Sequence, residues 1–208
     1  MTSRLTSSSL QAVFLDLGNV LAFHDDAVLF ERMSAWGGAR ADEIRERMLA
    51  LWDPINRGVL AGDDLRRAVC RAAGSETPLD AESFFAMWTC HFRVHQAVLP
   101  MVEALLGRVK VLLLSNTNEM HWRFVRPQIP LFDRFHDFVI SCDLLLAKPD
   151  PEIFQVALQR AQVRAEAAAF FDDVPRFVEA ARALGIHGRV FTDAENFRRQ
   201  LAELGLSV

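Results

Sequence analysis

A doubly wound parallel α/β sheet of Rossmann-like type, interrupted by an inserted block of helices, is the fold this sequence predicts. Three observations predict it. Short apolar runs recur that end in polar side chains: Val13-Phe14-Leu15 before Asp16, Val109 to Leu114 before Ser115, and Ala167 to Phe171 before Asp172 and Asp173. Runs of that length, bounded by turn signals, read as strands buried on both faces, the habit of parallel sheets. From Val109 onward such runs alternate with helical patterns of about ten residues, which argues for βαβ units. Between the first two runs, residues 22–96 show helical periodicity and no strand signal, so the chain divides into a core of 11–21 and 97–208 and an insertion of 22–96.

Met1 to Leu10 contains Ser7-Ser8-Ser9 and lacks the apolar centre of a secretion signal, so it reads as a loose leader. Ala22 to Asp26 reads as a turn that takes His24, Asp25 and Asp26 on a short excursion over the first strand end. Asp25 and Asp26 cap a helix whose apolar positions are Val28, Leu29, Met33 and Trp36, and Gly37-Gly38 stops it. Asp42 to Trp52 forms a second helix with Ile44, Met48, Leu49, Leu51 and Trp52 largely on one side. Asp53-Pro54 interrupts it, Arg57-Gly58 makes a turn, and Gly62-Asp63-Asp64 starts a helix through Ala73. Ala81 to Phe92 is an aromatic-rich helix, and Val98 to Leu106 leads back to the sheet. Strand and helix then alternate: Val109–Leu114, Glu119–Arg126, Phe138–Ser141, Glu152–Gln162, Ala168–Phe171, Arg176–Leu184, Gly188–Phe191 and Ala194–Leu204.

The 208 residues suffice for one core with an insertion, and 51% apolar with 24% charged is ordinary for a soluble globular protein. A net charge of −4 leaves no nucleic-acid footprint, and no apolar stretch reaches membrane-spanning length. Cys70, Cys90 and Cys142 are too widely spaced for a metal pair and read as reduced thiols of a cytoplasmic protein. Basic side chains are arginine except at Lys110 and Lys148. A lysine kept beside Pro149-Asp150-Pro151 is conspicuous, because the prolines stiffen the loop and a compact ammonium is no equivalent of a guanidinium.

In open α/β sheets, ligands bind beyond the carboxyl ends of the strands. Asp16 stands at such an end, as a nucleophile or a metal ligand would. Ser115 and Asn116 follow a strand and precede a helix, where hydroxyl, amide and N–H groups meet phosphate oxygens; capping of that helix by Ser115, Thr117 or Asn118 is compatible with this. Asp172 and Asp173 end an apolar strand with side chains on opposite sides, and carboxylates suit magnesium. With Lys148 these residues make a phosphate-and-magnesium constellation. His91, His95, His121, His136 and His187 show no ligand spacing and read as helix, loop or surface residues.

The motifs Asp16-Leu17-Gly18-Asn19-Val20, Ser115-Asn116-Thr117-Asn118, Lys148-Pro149 and Asp172-Asp173 stand in the order found in the haloacid dehalogenase-like hydrolases. The chain resembles that superfamily from about Gln11 onward. It is most similar to the helical-cap group whose first motif reads Asp-Leu-Gly-Asn-Val or Asp-Leu-Gly-Gly-Val, which includes sugar-phosphate phosphatases and relatives of the phosphatase domain of soluble epoxide hydrolases. The resemblance implies that residues 22–96 are a cap that closes over the site and selects substrate. It implies a magnesium-dependent phosphatase in which Asp16 forms an aspartyl-phosphate. Mg2+ would be held by Asp16, the Gly18 carbonyl, Asp172 and Asp173, one of the last two directly and the other behind it. Lys148 would neutralise charge between phosphoryl group and Asp16, and Ser115 and Asn116 would bind phosphate. The implied partner is a small phosphorylated metabolite, a sugar phosphate foremost, with no nucleic acid or membrane, acted on by a monomer or homodimer.

The sequence departs from the pattern at two positions. Most relatives carry a second aspartate where this chain has Gly18, and its side chain protonates the leaving group, a contribution of roughly 10²–10⁴-fold. Relatives often have asparagine in place of Phe177, which leaves the support of the acidic loop open. Two other readings share the fold: a metal-independent 2-haloacid dehalogenase, and a ligand-binding relative without catalysis. Against the dehalogenase stand the intact Asp172-Asp173 pair and the absence of tyrosine. Trp52, Arg57 and Trp88 in the insertion are candidates for substrate shaping or for packing.

Overall fold

The computed structural model describes residues 10–208, so the expected leader lies, apart from Leu10, outside the described residues. Strand β1 (Ala12–Leu15) leads to a short β2 (Ala22–His24). Helices α1 (Asp26–Gly37), α2 (Ala41–Leu49), α3 (Trp52–Asn56), α4 (Gly62–Ala72) and α5 (Ala81–Thr89) follow, and then β3 (Phe92–Val94). The core resumes with α6 (Leu99–Leu105), β4 (Lys110–Ser115), α7 (Glu119–Val125), β5 (Asp137–Ile140), α8 (Ser141–Leu144), α9 (Pro151–Ala161), β6 (Ala168–Asp172), α10 (Pro175–Ala183), β7 (His187–Val190) and α11 (Ala194–Glu203). No helix among the described residues is long and apolar enough to cross a membrane.

The main sheet runs β5-β4-β1-β6-β7 and its pairings are all parallel. Both faces of β1 are covered, which is why its sequence is unbroken apolar rather than alternating. Val13 and Leu15 pack with Val102, Leu105, Phe197 and Leu201, whereas Ala12 and Phe14 pack with Ile153, Phe154, Ala157 and Ala181. From β1 the chain goes to one side for β4 and β5 and returns to the other for β6 and β7, so the switch in strand order falls at β1. Leu15 is level with Leu113 and with Phe171, and the Asp16 amide donates to the Phe171 carbonyl at 3.0 Å. The ends of β1, β4 and β6 therefore open onto one crevice.

Local chemistry forms α1 as the sequence predicts: Asp25 accepts from the Ala27 amide at its start, and Gly38 closes it in the left-handed conformation. Three elements differ from expectation. Ala22 to Asp26 is no simple turn, since β2 pairs antiparallel with β3, and the helix expected through Phe92 stops at Thr89. Strands of three residues are too short for alternation to show; the ladder forms because both ends of the insertion leave the core side by side. The second expected helix breaks at Ala50, ahead of Pro54, and Pro54 sits in the first turn of α3. There its missing N–H has no partner to lose.

The insertion has a core of its own, built from Leu29, Phe30, Met33, Ile44, Met48, Leu65, Val69, Phe84 and Trp88. It is tied to the sheet domain at specific points. The Ser141 hydroxyl donates to the Asn56 carbonyl, Arg57 pairs with Asp150 at 2.8 Å, and the Trp88 indole donates to Asn118 Oδ1 at 3.3 Å. Gly58 is required at this seam: it has φ +72°, and a Cβ there would lie 2.5 Å from the Cys142 carbonyl oxygen.

Candidate active site

Lys148 organises the crevice. Its side chain is enclosed, and its Nζ lies 2.9 Å from Asp16 Oδ1, 2.5 Å from Asp172 Oδ2 and 3.1 Å from the Leu114 carbonyl. One ammonium thus touches the ends of β1, β6 and β4. Asn116 holds the lysine in place: its Oδ1 accepts from the Lys148 amide and its Nδ2 donates to the Lys148 carbonyl, both at 2.8 Å. Its side chain is committed to that loop, a role the sequence does not reveal. Phe170 and Phe177 present their rings 5.3 and 5.2 Å from the ammonium, within cation–π range. Phe177, at the position where the resemblance implies that relatives often carry asparagine, supports the lysine.

The acidic loop is supported elsewhere. Asp172 Oδ1 accepts from the Val174 amide at 2.8 Å, and Asp173 Oδ2 accepts from Asn19 Nδ2 at 2.9 Å. Asn19 adopts φ 54°, a left-handed conformation that asparagine tolerates. Carboxylate oxygens of Asp16, Asp172 and Asp173 all lie within 4.8 Å of one another. Asp16, Gly18, Ser115, Asn116, Lys148 and Asp173 line a cavity of about 660 Å³, and Asp172 lies fully buried beneath it. Asn118 caps α7 by accepting from the His121 amide at 3.1 Å, so the capping role falls to it rather than to Ser115.

Charge in this cluster is unbalanced. Burial pushes the Asp172 carboxyl up to about 7, with Lys148 opposing and the Asp16 charge adding to the rise. Burial disfavours the Lys148 ammonium, yet Asp16 and Asp172 hold its pKa above the ordinary value. Three carboxylates against one ammonium leave an excess of negative charge. Hard oxygen donors with that excess fit a divalent cation such as magnesium.

His24 and Asp26, expected over the first strand end, line the cavity with Trp52 and Arg57; Asn56, His91, His121 and Arg176 line it too and escape sequence reasoning. His24 Nδ1 lies 3.4 Å from Asp26 Oδ1, and a Cβ built on Gly18 would stand 3.1 Å from His24 Cδ2 and Nε2. Asp25 is the helix cap, which leaves Asp26 free to face the histidine. Its hydrogen bond to Asp26 holds His24 above its ordinary pKa; burial opposes this, and the Asp26, Asp173 and Asp16 charges add to it. His91 is enclosed, and burial lowers its pKa to about 4. His121 accepts from Asn118 Nδ2 at 2.9 Å and donates through Nε2 to the Trp88 carbonyl at 3.1 Å. Trp88 is fully buried and serves packing, whereas Trp52 and Arg57 border the cavity.

Known proteins share this architecture. Over 203 residues, 92% of this chain and 97% of the other, the sequence is 25% identical to D-ribitol-5-phosphate phosphatase of Bacteroides thetaiotaomicron. Over 117 residues it is 30% identical to acyl-CoA dehydrogenase family member 10 of Mus musculus, a match that spans 54% of this chain and 11% of that longer protein. The crystal structure of a HAD family enzyme from Bacteroides thetaiotaomicron superposes with a TM-score of 0.83 at 22% identity, over 93% of this chain and 98% of that one. A complex of the wild-type form of such an enzyme with magnesium and inorganic phosphate superposes at 0.79, with 23% identity over 88% and 95% of the two chains. The sequence pattern of the haloacid dehalogenase-like hydrolases matches residues 10–185, and with the parallel sheet and its strand-end carboxylates this establishes that the chain belongs to that family.

Proposed function

We propose that the protein is a magnesium-dependent phosphatase of small phosphorylated metabolites, with sugar phosphates as the substrate class. The observation that carries this reading is the convergence of Asp16, Lys148, Asp172 and Asp173 at one end of the sheet. In this reading Asp16 Oδ1 stays paired with Lys148, and Oδ2 attacks phosphorus to form the aspartyl-phosphate that water then hydrolyses. Lys148 offsets charge as the phosphoryl group approaches the carboxylate, and Asn116 and Phe177 keep its ammonium aimed there. Ser115, which lines the cavity at the end of β4, receives phosphate oxygens. Asp16, the Gly18 carbonyl, Asp172 and Asp173 would hold magnesium, which supplies positive charge to the phosphate oxygens when bound. A metal-free dehalogenase would leave the charge of Asp172 and Asp173 without a purpose.

Residues 22–96 act as the cap in this reading, with Trp52, Asn56 and Arg57 forming the wall that meets the substrate's organic part. The cavity of about 660 Å³, whose lining mixes polar groups with apolar ones, has room for a polyol or sugar chain, and the ribitol-phosphate phosphatase relative points the same way. Unpaired Cys70, Cys90 and Cys142 accord with a cytoplasmic protein, working as a monomer or homodimer. The test is phosphate release from a panel of sugar and polyol phosphates, with and without magnesium, for wild type and Asp16→Asn. Magnesium-dependent release from wild type and none from the variant is expected. Turnover indifferent to both chelation and Asp16→Asn would refute the assignment.

A further inference from the structure

Expelling an alkoxide from phosphorus needs a proton at the leaving oxygen, and neither the lysine nor Asp172, which lies fully buried beneath the cavity, presents one there. The lysine is bound on three sides by Asp16, Asp172 and the Leu114 carbonyl. Both ring nitrogens of His121 are hydrogen-bonded. His91 is enclosed behind Asp26, its Nε2 3.9 Å from that carboxylate. His24 differs. Its ring borders the cavity, Asp26 backs its Nδ1 at 3.4 Å, and its Nε2 edge occupies the volume that a side chain on residue 18 would fill. The other neighbours of that edge are weakly engaged: Asn19 Nδ2, 3.4 Å from Nε2, donates to Asp173 Oδ2 at the shorter 2.9 Å, and the Phe92 and His91 rings lie 5.7 and 6.2 Å away. The carboxylate that backs its ring directly is Asp26.

We propose that His24, oriented by Asp26, is the proton donor to the leaving oxygen, and that its ring is the reason residue 18 is glycine. This inference rests on the phosphatase reading. As Asp16 Oδ2 bonds to phosphorus, the bond from phosphorus to the leaving oxygen breaks, and its electron pair takes the Nε2 proton to give the free alcohol. The neutral ring then accepts a proton from water as the water oxygen bonds to phosphorus. The bond to Asp16 breaks, inorganic phosphate leaves, and the imidazolium and carboxylate are restored. Gly18 is free to carry a side chain on backbone grounds, since it is not in the left-handed region; what a Cβ meets there is His24.

The experiment compares kcat on an alkyl phosphate, glycerol 1-phosphate, with kcat on 4-nitrophenyl phosphate, whose leaving group needs no proton. Variants are His24→Ala, His24→Gln, Gly18→Asp and the double variant Gly18→Asp/His24→Ala. His24→Ala should lose roughly 10²–10⁴-fold on glycerol 1-phosphate but less than about tenfold on 4-nitrophenyl phosphate. Gly18→Asp alone should not raise activity, because the new side chain meets the His24 ring at 3.1 Å, whereas the double variant should recover alkyl phosphate turnover. Equal losses on both substrates, no loss, or a double variant no better than His24→Ala would overturn the proposal. Should His24→Ala lose cooperative melting, His24→Gln, which keeps the side chain's bulk near Asp26, makes the same comparison. A wild type that releases phosphate from neither ester with magnesium present refutes the phosphatase reading instead.

Discussion

Replacing Lys148 with methionine isolates the electrostatics of the site from its packing. Methionine keeps an unbranched apolar stem of similar reach and can still lie against Phe170 and Phe177. What disappears is an enclosed charge with Asp16 Oδ1 at 2.9 Å, Asp172 Oδ2 at 2.5 Å and the Leu114 carbonyl at 3.1 Å. Removing one partner of a buried ion pair typically costs about 3–5 kcal/mol. Asp172 can escape part of that cost by taking a proton, since its carboxyl already sits up at about 7. The lower end, about 3 kcal/mol at pH 7, is therefore expected, which for a chain of this size is a fall in Tm of roughly 6–12 °C. The sign of the pH dependence follows from the same group. Its folded pKa lies above the ordinary value near 3.9, so the folded state binds the proton more tightly and gains stability as pH falls from about 7 towards 4. Without the lysine the rise is greater, so the deficit of Lys148→Met should shrink between pH 8 and pH 5. Scanning calorimetry in chelator at several pH values reads this. A Tm drop below about 3 °C at pH 7, or a deficit that grows towards acid, would mean that Lys148 is not the counter-ion of both carboxylates.

Two further outcomes are expected. Magnesium should raise the Tm of the wild type, by about 2.7 kcal/mol of stabilisation at a hundredfold excess over Kd; Asp172→Asn and Asp173→Asn should each reduce the shift, and a full shift in both variants would remove these residues from the metal site. His91 has its folded pKa lowered to about 4, so the unfolded chain binds the proton first and stability is lost as pH falls from about 6.5 towards 4. The loss is at most about 3 kcal/mol at 1.36 per pH unit, and His91→Phe should remove it in urea unfolding at pH 7 and pH 4.5; an unchanged slope would mean the titration lies elsewhere.

Much of this protein is written locally. Unbroken apolar runs specify β1, β4 and β6, because strands covered on both faces have no solvent side to alternate with. The polar residue that ends each run then falls at the crevice, which is how Asp16, Ser115 and Asp172 could be named from spacing alone. The helix starts at Asp25, Asp80 and Asn118 are likewise local, each side chain accepting from an amide two or three residues on. Lys148 stood out by its proline-flanked loop and the family resemblance supplied its role, but its ion pairs are encoded by no periodicity.

What the sequence left open consists of partners far apart along the chain. Asn19 supports Asp173 across 154 positions, Asn116 grips Lys148 across 32, and Arg57 reaches Asp150 across 93. The three-residue ladder of β2 and β3 exists only because the ends of the insertion meet, and it is this ladder that swings His24 back over Gly18. The departure at Gly18 was therefore visible in the sequence as a missing carboxylate, and so was the nearness of His24, Asp25 and Asp26 along the chain; which of them meets Gly18 was not. A side chain's chemistry is fixed by its own residue, but the volume it fills and the charge it faces are set by which strands pair. For His24, as for Phe177 against Lys148, that pairing joins segments with no local signal in common.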